Sequence, residues 1–591
     1  MEQLFRKRFG RSSNTLIAIL TAAAFCTWPQ ASARAQIVNV PAASSQEPQA
    51  PPPPKTTDAP RVGVDESRPL ALTLFDAVRM ALEHNREIEV ERINVRQAEY
   101  DLFAARGSRD VGLSGSTFYE NRTVPVGSVL AGGAEGTLTT KSLNYDFTAQ
   151  QLLPTGAQWL AQFTNSRVDT NSQFVSLNPQ FNTAVNIQVR QPLMRNLSID
   201  DSRRRIRLAS RRLDISDSQF RQKAIEIVSR VQRSYWDLVF ALRDLQIRRD
   251  SVELARTQLE HNRRLVKDGS LAPIELVSVE VEIERRLENT LNAIETVTRA
   301  ENALKQLVLE NRESGVWQQP VIPTDTPDTA SLNIKLDEAI KTAFASRPEV
   351  AQNSLRQESN KIDVKFFENQ ARPQVDLIAS YTSTGLSGTV VNNVNPFAST
   401  TGLLLDRINL LSNLAGLSPI VPAPAGQLPD FLLGGSGQSL RNLFSNDFRT
   451  VRFGVSFSFP LKNRTAEAQL GRAIAEGRKI DAQLKTLELE IEAEVRNAIQ
   501  AVETSRQRVE TTRAAREAAQ KQSDSEQRRF DAGLSTTFLV LDRQNALSEA
   551  QGRELRALTD YNKAVSELQR VMGMTLTYAN VELTPAVNAQ K

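Results

Sequence analysis

The sequence predicts an α+β membrane protein: a β-barrel continued by a long α-helical coiled-coil barrel, written as two internal structural repeats. Three observations predict it. Apolar residues recur every seven positions across a stretch, Ile199 to Asp268, that holds no proline or glycine. Short segments elsewhere alternate strictly between apolar and polar residues, and a pattern near the start of the chain returns in its second half.

The chain opens with Arg6, Lys7, Arg8 and Arg11, then an apolar run from Leu16 to Phe25, then Ala33-Arg34-Ala35. This is the layout of an export signal, residues 1–35. The run is too short for the ~20 residues of a spanning helix, and no longer one follows, so the mature chain is expected to have no transmembrane helix. Phe25 stands where lipoprotein processing wants a small residue, so Cys26 is expected to leave with the signal rather than carry lipid. Residues 36–69, with Pro51 to Pro54, read as an extended or disordered periplasmic leader.

Composition excludes much. One cysteine, two histidines and 6% aromatic residues are thin material for catalysis or metal binding, and no cofactor is expected. Lys+Arg 72 against Asp+Glu 68 leaves a net charge of +4, which is no concentrated field for nucleic acid. His84 and His261 have no ligand-spaced partner. The glycines of GGSGQS at 434–439 are read as following no strand and opening no helix, which argues against a phosphate cradle.

The duplication is seen in LTLFDAVRMALEHNREI at 72–88 and LDEAIKTAFASRPEV at 336–350, which share their helical spacing of Leu, Ala and Ile. The repeats are expected at 70–320 and 332–577, with a tail at 578–591. Each carries strands, about 111–192 and 374–460, and then a helical hairpin, about 199–319 and 464–573. The first outgoing helix has its seam at Val231, Leu238, Leu245, Val252, Leu259 and Val266, the second at Val495, Val502 and Val509. Return seams run through Leu276, Ile283, Val297 and Leu304, and through Leu558, Val565 and Met572. Each pair should fold as an antiparallel hairpin, and the first outgoing helix, Ile199 to Asp268, could reach roughly 100 Å at 1.5 Å per residue.

In the strands, Val451, Phe453, Val455, Phe457 and Phe459 alternate with Arg452, Gly454, Ser456 and Ser458. Val185, Ile187 and Val189 alternate with Asn186, Gln188 and Arg190, and Val375, Leu377, Ala379 and Tyr381 with polar neighbours, Ile378 excepted. Isolated between coiled coils, such strands cannot bury a core alone. In a shared closed barrel every edge is paired and the apolar face meets lipid, which with export points to the outer membrane. A further hairpin is read at 143–152 and 158–168 around Pro154-Thr155-Gly156, either in the barrel or above its rim. The Gly/Pro/Asn-rich stretch 385–445 reads as a long extracellular loop.

Over nearly all of 70–577 the chain resembles the TolC-like outer-membrane factor family. Besides the duplication, QPLMRN at 191–196, RRFDAGLSTTFLVLDRQNAL at 528–547 and LQRVMGMTL at 568–576 carry the resemblance. It implies a homotrimer whose protomers lend strands to one barrel. It also implies a coiled-coil tunnel reaching a periplasmic adaptor, and through it an inner-membrane pump, in passive export of drugs or in type I protein secretion. The class rival is a non-conducting envelope spacer anchored by the barrel.

Gly269 and Gly533 mark equivalent hairpin reversals, where a residue near αL is welcome, and the resemblance makes these tips the adaptor contact. It also implies a periplasmic gate. Asp542 falls on one of two acidic-ring positions, the other being Leu539. Glu275 replaces an acidic partner of a tyrosine, Phe530 stands in that tyrosine's place, and Ser535 replaces an arginine of the same lock.

Two charged runs remain. The arginines 203, 204, 205, 207, 211 and 212 either meet anionic headgroups or form a solvated helix face. Glu488, Glu490, Glu492 and Glu494 wrap the polar sides of a long helix.

Overall fold

A computed structural model describes residues 61–127, 136–329, 334–391, 396–421 and 428–581. The expected signal, Cys26, most of the leader and the end of the tail lie outside the described residues. No helix among them is long and apolar enough to cross a membrane.

The chain starts with β1 (Leu70–Leu72), α1 (Leu74–His84) and α2 (Arg86–Gly107), followed by β2 (Gly112–Pro125), β3 (Thr137–Leu152), β4 (Gln158–Thr170) and β5 (Leu177–Pro192). Then come the helices α3 (Asp201–Lys267) and α4 (Ile274–Val308), the short β6 (Val321–Pro323), and α5 (Leu336–Ser346) and α6 (Pro348–Gln370). The second strand set is β7 (Gln374–Val390) and β8 (Arg449–Ser458), with α7 (Pro396–Leu414) and α8 (Ser436–Ser445) between them. The chain closes with α9 (Arg464–Asp531), α10 (Thr537–Val571) and the single turn α11 (Thr575–Tyr578).

At 67 and 68 residues, α3 and α9 each extend about 100 Å. Their heptad positions are the buried ones: Val231, Leu238, Leu245, Val252 and Leu259 on α3, and Val495, Val502 and Val509 on α9. The stretches 72–88 and 336–350 are each interrupted. Asn85 ends α1 and caps α2, its side chain accepting from the amides of Glu87 and Ile88, and Pro348 opens α6 at its first turn. The glutamates 488–494 lie on α9, where Glu492 pairs with Arg496 at 2.8 Å and Glu494 with Arg347 at 2.7 Å.

All six long strands form one antiparallel sheet in the order β2-β3-β4-β5-β7-β8. The hairpin left open by the sequence is therefore β3–β4 at the heart of this sheet, with Gly156 at φ +84° in its turn. The register places Leu113, Phe147, Phe163, Ile187, Leu377 and Val455 on one face. Tyr145, Phe147, Ile187 and Val189 on that face are exposed, whereas Asn144, Asp146, Asn186 and Gln188 on the other are half-buried. The sheet therefore curves with its apolar side outward, the sense a lipid-facing barrel wall requires.

Three expectations are corrected. First, residues 385–390 are strand, and the insertion that follows sends α8 back over the apolar face. Gly385 is indispensable there, because a Cβ would lie 2.0 Å from the Ser439 carbonyl oxygen. The glycines of 434–439 therefore do open a helix, Gly435 being the N-cap of α8.

Second, the end of the leader is held in place. The Asp65 amide donates to the Gln318 carbonyl at 2.6 Å, and Arg61 reaches Glu301 at 2.6 Å. Third, Arg203 and Arg204 tie the strand-to-helix junction together, whereas Arg205 and Arg211 lie on the solvated helix face expected of the cluster. Arg203 closes on the N-cap Asp200 at 2.8 Å, Arg204 on Asp363 at 2.6 Å, Arg211 on Asp214 at 2.8 Å, and Arg205 pairs with Asp201.

Candidate functional site at the helical tips

Both hairpins reverse in the same way. After α3, the Gly269 amide donates to the Val266 carbonyl and Ser270 to Leu265. After α9, Gly533 donates to Phe530 and Leu534 to Arg529. These are Schellman closures, and the glycines sit at φ +76° and +74°, where a side chain is strained. Thr536 caps α10 by accepting from the Leu539 amide.

Near these turns the two hairpins meet through α3 and α10. The Phe530 ring is buried against the His261 imidazole of α3, with centroids 5.9 Å apart. Gln258 donates to Asn262 at 2.8 Å, and Asn262 donates to the Thr537 hydroxyl at 3.1 Å, all three residues being buried. Behind this polar step lies a small apolar core of Ala255, Leu259, Val279, Ile283 and Leu541, drawn from α3, α4 and α10.

Past that core comes a second polar step. Arg286 on α4 is 3% exposed. It donates to Glu282 at 2.9 Å, to the Ser251 carbonyl on α3 at 2.7 Å and to Gln544 on α10 at 3.5 Å. Asn545 on α10 donates to the same Glu282 oxygen at 2.7 Å. Burial works against ionisation of Glu282, but the bonds from Arg285, Arg286 and Asn545 outweigh it and hold its carboxyl below the usual glutamate range. The Glu282–Arg286 ion pair lies within α4, and the bonds with Gln544 and Asn545 link it to the second hairpin, while the Nη2 group of Arg286 is left without an acceptor.

The residues singled out from sequence surround this junction without bonding to one another. Glu275 sits half-exposed in the first turn of α4, and its side chain makes no hydrogen bond or ion pair among the described residues. The Ser535 hydroxyl donates to Glu526 of its own hairpin at 2.5 Å. Leu539 is 38% exposed on α10. Asp542 is exposed one turn further along, and among the described residues its one ion-pair partner is Arg543 at 4.0 Å.

The sequence reading missed Gln258, Asn262, Thr537, Glu282, Arg286, Gln544 and Asn545. One signal for them existed. The return seam at 276, 283, 297 and 304 skips position 290, which is Thr290, and its interleaved positions 279, 286 and 293 include Arg286. A charge inside a coiled-coil stripe is a candidate specificity device. Among the described residues no cluster of His, Cys, Asp or Glu could hold a metal.

The family model described as outer membrane efflux protein matches residues 144–308 and 416–574, more than half of the chain. A membrane protein from Pseudomonas aeruginosa is similar in structure, with TM-score 0.57 and 16% identity over 90% of this chain and 99% of its own. The Campylobacter jejuni CmeC outer membrane channel gives 0.57 at 13% identity, covering 93% and 99%. The open state of the Neisseria gonorrhoeae MtrE outer membrane channel gives 0.53 at 14%, covering 92% and 99%. At such identities the likeness is one of fold. No curated protein matches the sequence.

Proposed function

Because this chain belongs to the outer membrane efflux protein family, a family of channels and not of enzymes, residing in the outer membrane with a large periplasmic portion, we propose that it is one of three identical protomers of a passive export duct. The observation that carries this reading is the continuity of the wall. A curved sheet, apolar outside and polar within, passes at Asp200 and at Asn463 directly into two helices of about 100 Å. A single chain has no use for such a wall, whereas symmetric copies enclose a path with it.

In this reading the barrel crosses the outer membrane and the tips around Gly269 and Gly533 meet a periplasmic adaptor joined to an inner-membrane pump. The chain supplies the path, and the energy comes from the pump. Drug efflux and type I protein secretion need the same outer duct, and the chain's residues favour neither. The gate lies at the tips, with Asp542 and Leu539 of each copy around the opening. The packing of Phe530 and the bonds of Thr537, Glu282 and Arg286 hold the second hairpin against the first.

Planar-bilayer recordings test the duct. The purified assembly is expected to conduct ions, and an absence of conductance across all voltages would favour a non-conducting spacer. Asp542→Ala is expected to weaken block by multivalent cations, because three carboxylates round one axis attract them. Unchanged block would remove Asp542 from the opening.

A further inference from the structure

The two edges of the sheet state how wide that duct begins. Every residue of β8 and nearly every residue of β2 is exposed, and these strands are the sheet's outermost members. In lipid, a bare strand edge leaves a row of N–H and C=O groups unpaired at several kcal/mol apiece. Both edges must therefore be covered by another strand.

Direction decides what can cover them. Each neighbour in the sheet runs antiparallel to the last, so across six strands β2 and β8 point opposite ways. The β8 edge of one copy can thus receive the β2 edge of the next in the antiparallel pairing that outer-membrane barrels use. We propose that three copies join at β8–β2 seams into a barrel of 18 strands, six from each copy, wide enough that neither small-molecule size nor charge is selected there. The constriction at the helical tips is then the filter. This rests on the trimeric duct reading above and adds to it the width and chemistry of the outer mouth.

Strand number sets barrel width. About eight strands leave an interior that side chains fill, whereas 16–18 leave an aqueous channel. The inward face also lacks a dominant charge. It is typified by Asn144, Thr148, Gln162, Thr164, Asn186 and Gln188. Its three acidic residues, Glu120, Asp146 and Asp376, match its three basic ones, Arg122, Arg190 and Arg452, in number. Arg190 and Asp376 are paired with each other. Hydroxyls and amides compensated in this way hydrate passing cargo without sorting it by sign.

Cysteine cross-linking in the full-length assembly tests the seam, since the one natural cysteine, Cys26, falls in the expected signal. Phe453→Cys on β8 is combined in turn with Leu113→Cys, Thr117→Cys and Tyr119→Cys on the same face of β2. It is also combined with Ala161→Cys or Phe163→Cys on β4. Oxidation is expected to convert most chains into covalent trimers for one β2 register and for neither β4 pair. A β8–β4 product means a narrower barrel that leaves out β2 and β3, and overturns the proposal, as does the absence of product at every β2 position. An assembly mass other than three chains would instead sink the trimer reading itself.

Width is tested by graded neutral polyethylene glycols added to one side of the bilayer. The largest polymer that lowers conductance is expected to be larger from the barrel side than from the tip side. Equal cut-offs, or a smaller one at the barrel, overturn a wide mouth.

Discussion

Glu282→Ala is expected to raise the resting conductance of the reconstituted assembly and to make the helices near the tips more sensitive to protease. The substitution leaves Arg286, 3% exposed, with the Ser251 carbonyl and the Gln544 amide but no carboxylate. Breaking a buried ion pair from one side costs about 3–5 kcal/mol, because the surviving charge stays buried. That exceeds what the neighbouring step from Gln258 through Asn262 to Thr537 can offset at about 1 kcal/mol per hydrogen bond. The hairpins are therefore expected to part between α3 and α10.

Removing both charges should behave differently. In the double variant Glu282→Ala/Arg286→Met no unpaired charge is buried, and resting conductance is expected to return close to that of the parent. If the double variant leaks as much as the single one, the ion pair is incidental to closure.

A pH titration supplies an independent arm. The Glu282 carboxyl titrates below its unfolded value, so its contribution is complete above the ordinary glutamate range and is lost as pH falls through the lowered value. The parent is thus expected to leak more on the acid side. The double variant should lose that component of the pH response.

How far the sequence disclosed this junction depends on which physical signal each part leaves behind. The seams of α3 and α9 are periodic, and periodicity is local, so Val231 through Leu259 could be read without knowing any partner. The alternation of β5, β7 and β8 is equally local. Pairing is not: that β3 and β4 lie at the heart of the sheet follows from backbone bonds between residues whose order along the chain allowed either placement. The breaks at Asn85 and before Pro348 did leave cap signals inside stretches read by their apolar spacing alone.

The tips show the same division. Gly269 and Gly533 were legible because a reversal from helix to helix demands a positive φ. The bonding between hairpins was not, because Glu282 and Asn545 are 263 positions apart and neither is unusual on a helix. Resemblance pointed instead to Glu275, Phe530 and Ser535. Of these, Phe530 packs across the hairpin interface and Ser535 bonds within its own hairpin. Arg286 and Thr290 were detectable, since both interrupt an apolar stripe at seam spacing, and the stripe tolerates them because α3 and α10 supply acceptors for Arg286 while Thr290 donates to the Arg286 carbonyl one turn back.

The root of the first hairpin is where a second large effect is expected, from Lys305→Met. Lys305 lies near the end of α4 with its side chain 1% exposed, and its ammonium donates to Glu301 at 2.5 Å, to the Trp317 carbonyl at 3.0 Å and to the Gln319 carbonyl at 2.6 Å. Methionine fills similar space but donates nothing, so Glu301, 2% exposed, keeps only Arg61 at 2.6 Å. The expected loss is about 1–3 kcal/mol, for a buried carboxylate that loses one of its two cationic partners and two carbonyls that lose their donor. It should appear as a lower melting temperature and as faster tryptic cleavage at Arg61, whose segment is held through Glu301 and Gln318. Arg61→Ala should expose the same segment while leaving Glu301 and Lys305 joined, and so cost less stability. An unchanged melting temperature in Lys305→Met would show that the root is held by apolar packing alone. With Tyr235 also bonded to Asp325 and to the Leu72 carbonyl at 2.6 and 3.0 Å, the root is clamped by buried charge and by side chains from three segments. The tip joint has a small apolar core, the Phe530–His261 contact and a few hydrogen bonds. Under an applied load a helix of this length yields first where its contacts are fewest, so the second hairpin should part from the first at Glu282 and Arg286 long before either leaves its root.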